Sequence, residues 1–297
     1  MSAAAAAATP TARPGPRGLL VDIGGRRLHL VRAGPASGAP TVLLEAGSFG
    51  FSADWSVVQA RLAGQGLRSL AYDRAGMGWS DPGPAPRDGL AIVADLEALL
   101  AAACEPGPFV LVGHSMAGLH VQTFAGRNRA RVAGVVLVDA VTAEVAADPL
   151  ARQAASGYIA FSRFAAGVAA LGLLRPIARF GDQIGLDGEA AIHKRWAFGD
   201  AGHNRASADE VLAWDAAVAQ ARSAAPLDPD WPVAAVTAGP HGLWRQRELQ
   251  HAAARAARQG YQAHVGEASH ASLIGRRHAD RVVEAILHVH RAASPVM

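Results

Sequence analysis

Two spacings of apolar residues alternate along the chain. Thr41-Val42-Leu43-Leu44, Leu67 to Tyr72, Phe109 to Val112, Val132 to Val138 and Val233 to Ala238 are short, almost wholly apolar runs. Such runs predict strands covered on both faces. Between them, apolar side chains recur every three or four positions, as in Trp55, Val58 and Leu62, or in Leu90, Val93, Leu96, Leu99 and Leu100. That spacing predicts helices over 53–62, 90–100, 116–127 and 244–257, with a closing helix that carries Val282, Val283, Ile286 and Leu287. Strand alternating with helix predicts a parallel sheet flanked by helices, with ligands gathering at the carboxyl ends of its strands. Leu19-Leu20-Val21 and the alternating Arg27 to Leu30, joined through Gly24-Gly25, predict a hairpin at the start, and Tyr261 to Val265 a last short strand.

From Ala140 to Asp230 the rhythm changes to helix-like segments broken by Gly, Pro and Asp. This divides the chain into a disordered tail over 1–18, a core made of 19–139 and 231–297, and a helical cap over 140–230. Phe161, Phe164, Val168, Leu171 and Leu174 form one apolar stripe in the insertion, which is read as packing within the cap, with direct substrate contact as the alternative.

Composition narrows the function classes. The chain has 297 residues, 51% of them hydrophobic and 18% charged, with a net charge of +3. Lys194 is the only lysine, and the arginines are spread out rather than blocked together, so the sequence gives no reason to expect a nucleic-acid partner. Cys104 is the only cysteine, which excludes an intrachain disulfide and a multi-cysteine zinc site; its place after an apolar helical pattern predicts a packed thiol. His288 and His290 stand two apart on a helix and face different ways, and no H-E-x-x-H sequence exists, so neither a metal nor a cofactor is expected. The alanine- and proline-rich start lacks the charged and apolar regions of a signal peptide, and no apolar run is long enough to span a membrane. A cytoplasmic location is the resulting expectation; the oligomeric state is not legible.

The chemistry concentrates where the apolar run Phe109 to Val112 ends in Gly113-His114-Ser115-Met116-Ala117-Gly118. Small residues on both sides of a serine let a strand turn sharply into a helix and hold the hydroxyl exposed at the corner. A serine hydroxyl needs a base, a group to orient that base, and donors for a developing oxyanion. Among twelve histidines, His270 fits the base best, since it follows the last strand on a loop of small residues. His114 is adjacent to Ser115 but is read as a packing neighbour. Asp139 ends the strand 132–138 and so falls at the same end of the sheet.

On these residues, on Tyr72-Asp73-Arg74-Ala75-Gly76-Met77-Gly78-Trp79-Ser80-Asp81 and on Ser269-His270, the chain resembles the α/β-hydrolase superfamily, in its esterase-like group with a helical cap. The resemblance covers about residues 19 to 293. It implies Ser115 as nucleophile, His270 as general base, and the backbone N–H groups of Met116 and Ser48 as the oxyanion hole, with Ala46-Gly47-Ser48 in register with a loop that in relatives often reads His-Gly-x. The triad acid commonly follows the strand assigned to 233–238, but Gly239 to Trp244 holds no carboxylate. Some relatives carry it one strand earlier, which points to Asp139; Glu248 and Glu267 are the alternatives. Asp73 is read as structural. The implied activity is hydrolysis of a small hydrophobic carboxylic ester or lactone through an acyl-enzyme. Acyl transfer, C–C bond hydrolysis and non-catalytic ligand binding on the same fold remain as alternatives.

Overall fold

A computed structural model describes residues 13–224, 226–240 and 244–294. Eight strands form one sheet: β1 (Leu19–Asp22), β2 (Arg27–Ala33), β3 (Thr41–Glu45), β4 (Ser69–Tyr72), β5 (Phe109–His114), β6 (Val132–Val138), β7 (Val233–Ala238) and β8 (Gly260–Val265), in the order β1-β2-β4-β3-β5-β6-β7-β8. The two pairings of β2 are antiparallel and all the others are parallel. The helices are α1 (Ser56–Gly64), α2 (Gly89–Ala102), α3 (Ala117–Arg127), α4 (Ala143–Ala147), α5 (Pro149–Ala170), α6 (Gly188–Gly199), α7 (Ala201–Leu212), α8 (Trp214–Ser223), α9 (Trp244–Ala256) and α10 (Ala279–Ala293).

The central strands send alternate side chains into two separate cores. Val42, Leu44, Val110 and Val112 pack with Val58, Leu62, Val282 and Ile286 from α1 and α10. Leu43, Phe109 and Leu111 pack on the other face with Val93, Leu96, Val121 and Phe124 from α2 and α3. Strands buried on both faces can dispense with polar alternation, which is why they read as continuous apolar runs. At about 1.5–3 kcal/mol per large apolar side chain, this double burial is the main force fixing the register. Register then sets the site: Glu45 lies opposite Gly113, and His114 opposite Val138. The residues just past these partners, Ala46-Gly47, Ser115 and Asp139, are thereby brought to one edge.

Between β6 and β7 the described residues 140–224 and 226–232 carry helices α4 to α8 and no strand. Three expectations need correction. Residues 1–12 of the expected disordered tail lie outside the described residues, but 13–17 are held: Arg13 Nη2 donates to the Gly78 carbonyl at 2.7 Å, Trp79 Nε1 to the Pro14 carbonyl at 2.9 Å, and the Arg17 carbonyl bonds the His29 ring. Alanine- and proline-rich composition hid these contacts because they are made through backbone oxygens. Cys104 is exposed, not packed; it lies past the end of α2 at φ +56°, where the chain leaves the helix and its apolar face. Finally, Phe161, Phe164 and Leu171 of the stripe are 57%, 69% and 76% exposed, so they are not the interior of the insertion.

Candidate active site

Ser115 sits between β5 and α3 at φ +59°, in the left-handed region that costs a non-glycine residue about 1–2 kcal/mol. The neighbouring bonds hold it there. Its N–H donates to the Val138 carbonyl at 3.1 Å, and its carbonyl accepts from Val141 at 2.8 Å and Gly118 at 3.1 Å. Glycine is required on both sides for lack of room. A Cβ on Gly113 would lie 2.9 Å from Val121 Cγ2, and one on Gly118 would lie 2.4 Å from the Val141 carbonyl oxygen. Ala117 is fully buried, so the close approach to the following loop belongs to Gly118, and Ala117 keeps its methyl group.

Asp139 also has a positive φ, +43°, and the bend brings its carboxylate across to His270. His270 Nδ1 donates to Asp139 Oδ2 at 2.6 Å, while the other oxygen accepts from Gln250 Nε2 at 3.0 Å and from the Ala238 N–H at 3.4 Å. Burial pushes the Asp139 carboxyl up, but the hydrogen bond and charge of His270 outweigh it and hold the group below the usual carboxylate range. It is therefore ionised at neutral pH. The His270 side chain is half exposed, whereas that of Asp139 is 12% exposed. Under it lies His114, stacked at 4.6 Å between ring centroids, whose Nε2 donates to the His270 carbonyl at 3.1 Å. Burial, reinforced by His270, pushes His114 down to about 3. It stays neutral and acts as a packing support, as its sequence position suggested.

The loop after β3 closes against the elbow. A Cβ on Gly47 would lie 2.8 Å from Ser115 Cβ and 3.1 Å from the His114 carbonyl oxygen, so only glycine fits. Ser48 Oγ reaches Met116 Sδ at 3.3 Å, which places Ser48 and Met116 side by side next to Ser115. The buried Arg74 holds this loop from behind: its guanidinium donates to the Ala46 carbonyl, to the Gly47 carbonyl at 2.9 Å, to Glu45 Oε1 at 2.7 Å and to Glu210 Oε2 at 2.8 Å. Asp73 accepts from the Ser52 and Trp79 N–H groups and from His29 Nδ1, each at 2.9 Å. Its place in the chain gave it a structural reading, and its partners are all backbone or buried.

Above Ser115 opens a cavity of about 1100 Å³, whose walls include Val141, Val145, Tyr158, Phe161, Phe164 and Trp214. Gly47, Ser48, His114, Ser115, Met116 and His270 form its floor. Glu248, an alternative acid, is paired with Arg255 at 3.0 Å, and Glu267 is exposed. Of the loop where relatives commonly carry the acid, residues 241–243 lie outside the described residues. Sequence reasoning missed Gln250, which looks like one more polar residue on α9, and it gave Arg74 no partner although its motif was noticed. It also missed Lys194, which reaches Asp54 Oδ2 at 2.8 Å and the Phe49 carbonyl at 3.0 Å. Among the described residues, no group of three or more His, Cys, Asp or Glu side chains could hold a metal ion, and no helix is long and apolar enough to cross a membrane.

Comparison with known proteins agrees with this architecture. Residues 40–175 match the family model described as the alpha/beta hydrolase fold. A probable transporter, efuK, of Hormonema carpetanum is 35% identical over 129 residues, which are 41% of this chain and 18% of that protein. An uncharacterised protein of Bacillus subtilis, YqjL, is 32% identical over 117 residues, 39% of this chain and 46% of that one. The chain thus spans less than half the length of these curated relatives. Among solved structures, a thermophilic esterase from Thermogutta terrifontis superimposes with a TM-score of 0.67 at 23% identity over 91% of this chain and 95% of that one. The enol-lactonase from Burkholderia xenovorans gives 0.64 at 20% over 89% and 96%, and the epoxide hydrolase CorEH 0.70 at 20% over 93% and 98%. The sheet order, the family match over residues 40–175 and these neighbours agree on the α/β-hydrolase fold.

Proposed function

We propose that this chain of α/β-hydrolase fold is a serine hydrolase that cleaves small hydrophobic carboxylic esters or lactones, with Ser115, His270 and Asp139 as its triad. The observation that carries the reading is the His270–Asp139 hydrogen bond of 2.6 Å at the same cavity floor as a serine held at φ +59°. In this mechanism Ser115 Oγ attacks the acyl carbon while His270 Nε2 takes its proton. Asp139 fixes the ring so that Nδ1 keeps its hydrogen and Nε2 faces the substrate, and its charge stabilises the imidazolium. The Met116 N–H at the start of α3 and the Ser48 N–H stabilise the oxyanion. Collapse of the tetrahedral intermediate expels the alcohol, which takes the proton from His270, and leaves Ser115 acylated. Water then attacks with His270 again as base, releasing the acid. The half-exposed ring of His270 supports water as the acceptor.

The apolar walls support a hydrophobic acyl or alcohol part, and the esterase and the lactonase among the fold neighbours use the same architecture. Epoxide-hydrolase chemistry on this fold requires an aspartate at the elbow, where this chain has Ser115. The test is labelling by a fluorophosphonate probe: the wild-type chain labels and Ser115→Ala does not. A folded wild-type chain that never labels overturns the proposal. For the acid, Asp139→Asn lowers kcat for a p-nitrophenyl ester by about 10⁴-fold and Glu248→Gln leaves it near wild type; the reverse pattern overturns the assignment.

A further inference from the structure

We propose that the segment Leu171–Phe180, with the adjoining face of α5, docks on the surface of an anionic phospholipid bilayer, so that the cavity mouth opens toward the lipid. Seven of the twelve exposed large hydrophobic side chains in the described residues fall within residues 150–180. Four of them, Leu171, Leu173, Ile177 and Phe180, fall within ten residues and are 47–76% exposed. A group of that kind on a soluble surface marks an interaction site.

Charge selects the occupant. From residue 149 to 181 there are four arginines and no aspartate or glutamate. Among the described residues no carboxylate pairs with Arg163, Arg175 or Arg179, all of which are exposed. The next acid along the chain, Asp182, turns inward to accept from the backbone N–H groups of Ile184, Gly185 and Leu186. Alternating arginine and bulky apolar side chains suit a surface with anionic headgroups outside and acyl chains beneath, since arginine can extend its charge to the headgroups while its stem stays in apolar surroundings. The face is also continuous with the cavity: Phe161 and Phe164 of α5 are exposed and line the cavity wall, and so does Leu174, between Leu173 and Arg175. An apolar substrate leaving the bilayer would therefore meet the entrance without crossing water.

The test is co-sedimentation of the full chain with vesicles of phosphatidylglycerol and phosphatidylcholine, against vesicles of phosphatidylcholine alone. It is done in the Ser115→Ala background, so that binding is read separately from the proposed hydrolase chemistry. Binding to the anionic vesicles is expected, at least tenfold weaker on neutral ones and falling with salt. Arg175→Gln with Arg179→Gln lowers it on the order of tenfold or more. Leu173→Ser with Ile177→Ser and Phe180→Ser abolishes it, whereas Leu90→Ser, an exposed leucine on α2, leaves it unchanged. Circular dichroism establishes that each variant is folded. The proposal is overturned by three results: no binding by the wild type, equal binding by the variants, or sedimentation of the wild type as a dimer that the apolar triple variant turns into a monomer. The last would make the face a contact between copies of the chain.

Discussion

The two halves of the helical insertion are held to the molecule by opposite means. Helices α6 and α7 are fastened by buried polar groups. Lys194 reaches Asp54 and the Phe49 carbonyl, Ser207 Oγ accepts from the Phe49 N–H at 2.6 Å, His203 bridges the Gly78 N–H and the Phe49 carbonyl, and Glu210 pairs with Arg74. Aromatic contacts add to this, with Trp79 stacked on Trp196 at 5.5 Å and against His193 at 4.4 Å. Nearly all these partners lie in or beside the loop that carries Ser48. The α5 half reaches that loop through Tyr158, which hydrogen-bonds Ser48 and packs in one cluster with Phe49, while its stripe of Phe161, Phe164 and Leu171 is exposed. Buried polar contacts need one geometry, whereas apolar contacts tolerate several. One half therefore fixes the loop beside Ser115 through a network of buried polar contacts, and the other, tied to it through Tyr158, presents its stripe at the entrance.

The largest expected effect comes from Arg74, which joins α7 to the loop of Ser48. Arg74→Met leaves Glu45 and Glu210 as buried carboxylates with no cation between them and releases the Ala46 and Gly47 carbonyls. Breaking a buried ion pair from one side costs about 3–5 kcal/mol. Urea unfolding should show a loss of this size, and kcat for a p-nitrophenyl ester should fall about a hundredfold in the folded fraction as the Ser48 N–H drifts. A loss below 1 kcal/mol would mean that the polar network does not hold this half. Lys194→Met tests the same point with a smaller change. Asp54 is buried, and burial already pushes its carboxyl up despite Lys194. Without the cation it takes up a proton, so stability falls by about 1–3 kcal/mol and kcat by roughly tenfold, with little change in KM.

How these two halves look in the sequence differs as much as how they are held. The edge residues were legible because apolar runs betray where buried strands end: Ser115, Asp139 and the loop of Ser48 each follow such a run. Asp139 and His270 are 131 residues apart, and no spacing connects them; only the neighbouring places of β6, β7 and β8 in the sheet do. Glu210, Lys194 and His203 were illegible because a polar residue on a helix reads as solvent-facing until its partner is known. The stripe failed in the opposite way. Its period gave the face correctly but carried no information on what covers it, and among the described residues Phe161, Phe164 and Leu171 are left exposed. Gln250 illustrates the first failure on α9, and Cys104 the second, since a helical pattern does not say where the chain leaves the helix.

Acid should loosen the polar half first. Burial, aided by the charge of Lys194, pushes His203 down to about 4, and burial pushes His114 down to about 3, against about 6.5 in an unfolded chain. The unfolded chain takes up these protons first as pH falls. The stability from burying neutral rings is thus fully present above about pH 6.5 and is lost as pH falls toward 4 and 3. By pH 5 each ring has cost on the order of 2 kcal/mol. The melting temperature should drop between pH 7 and pH 5, and hydrogen exchange at pH 5 should show α6 and α7 losing protection ahead of α5. His203→Gln cannot take the proton, so its drop should be smaller. An equal drop in both proteins would place the acid sensitivity elsewhere.

The smallest effect on stability, and the sharpest test of the contrast, is Phe164→Ser. Phe164 is 69% exposed, so its ring loses little burial on truncation, and such surface changes stay within about 0.5 kcal/mol. The ring nevertheless forms part of the cavity wall. A buried methylene of a bound acyl chain is worth about 0.8 kcal/mol, so a long chain lying against Phe164 has several times that at stake and an acetyl group has none. Melting temperature and kcat/KM for an acetyl ester should therefore match the wild type. For an octanoyl ester kcat/KM should fall about three- to tenfold, through KM. A loss of 2 kcal/mol or more in stability would mean that the stripe is interior packing after all, and the division of the insertion into a holding half and an entrance half would fail with it.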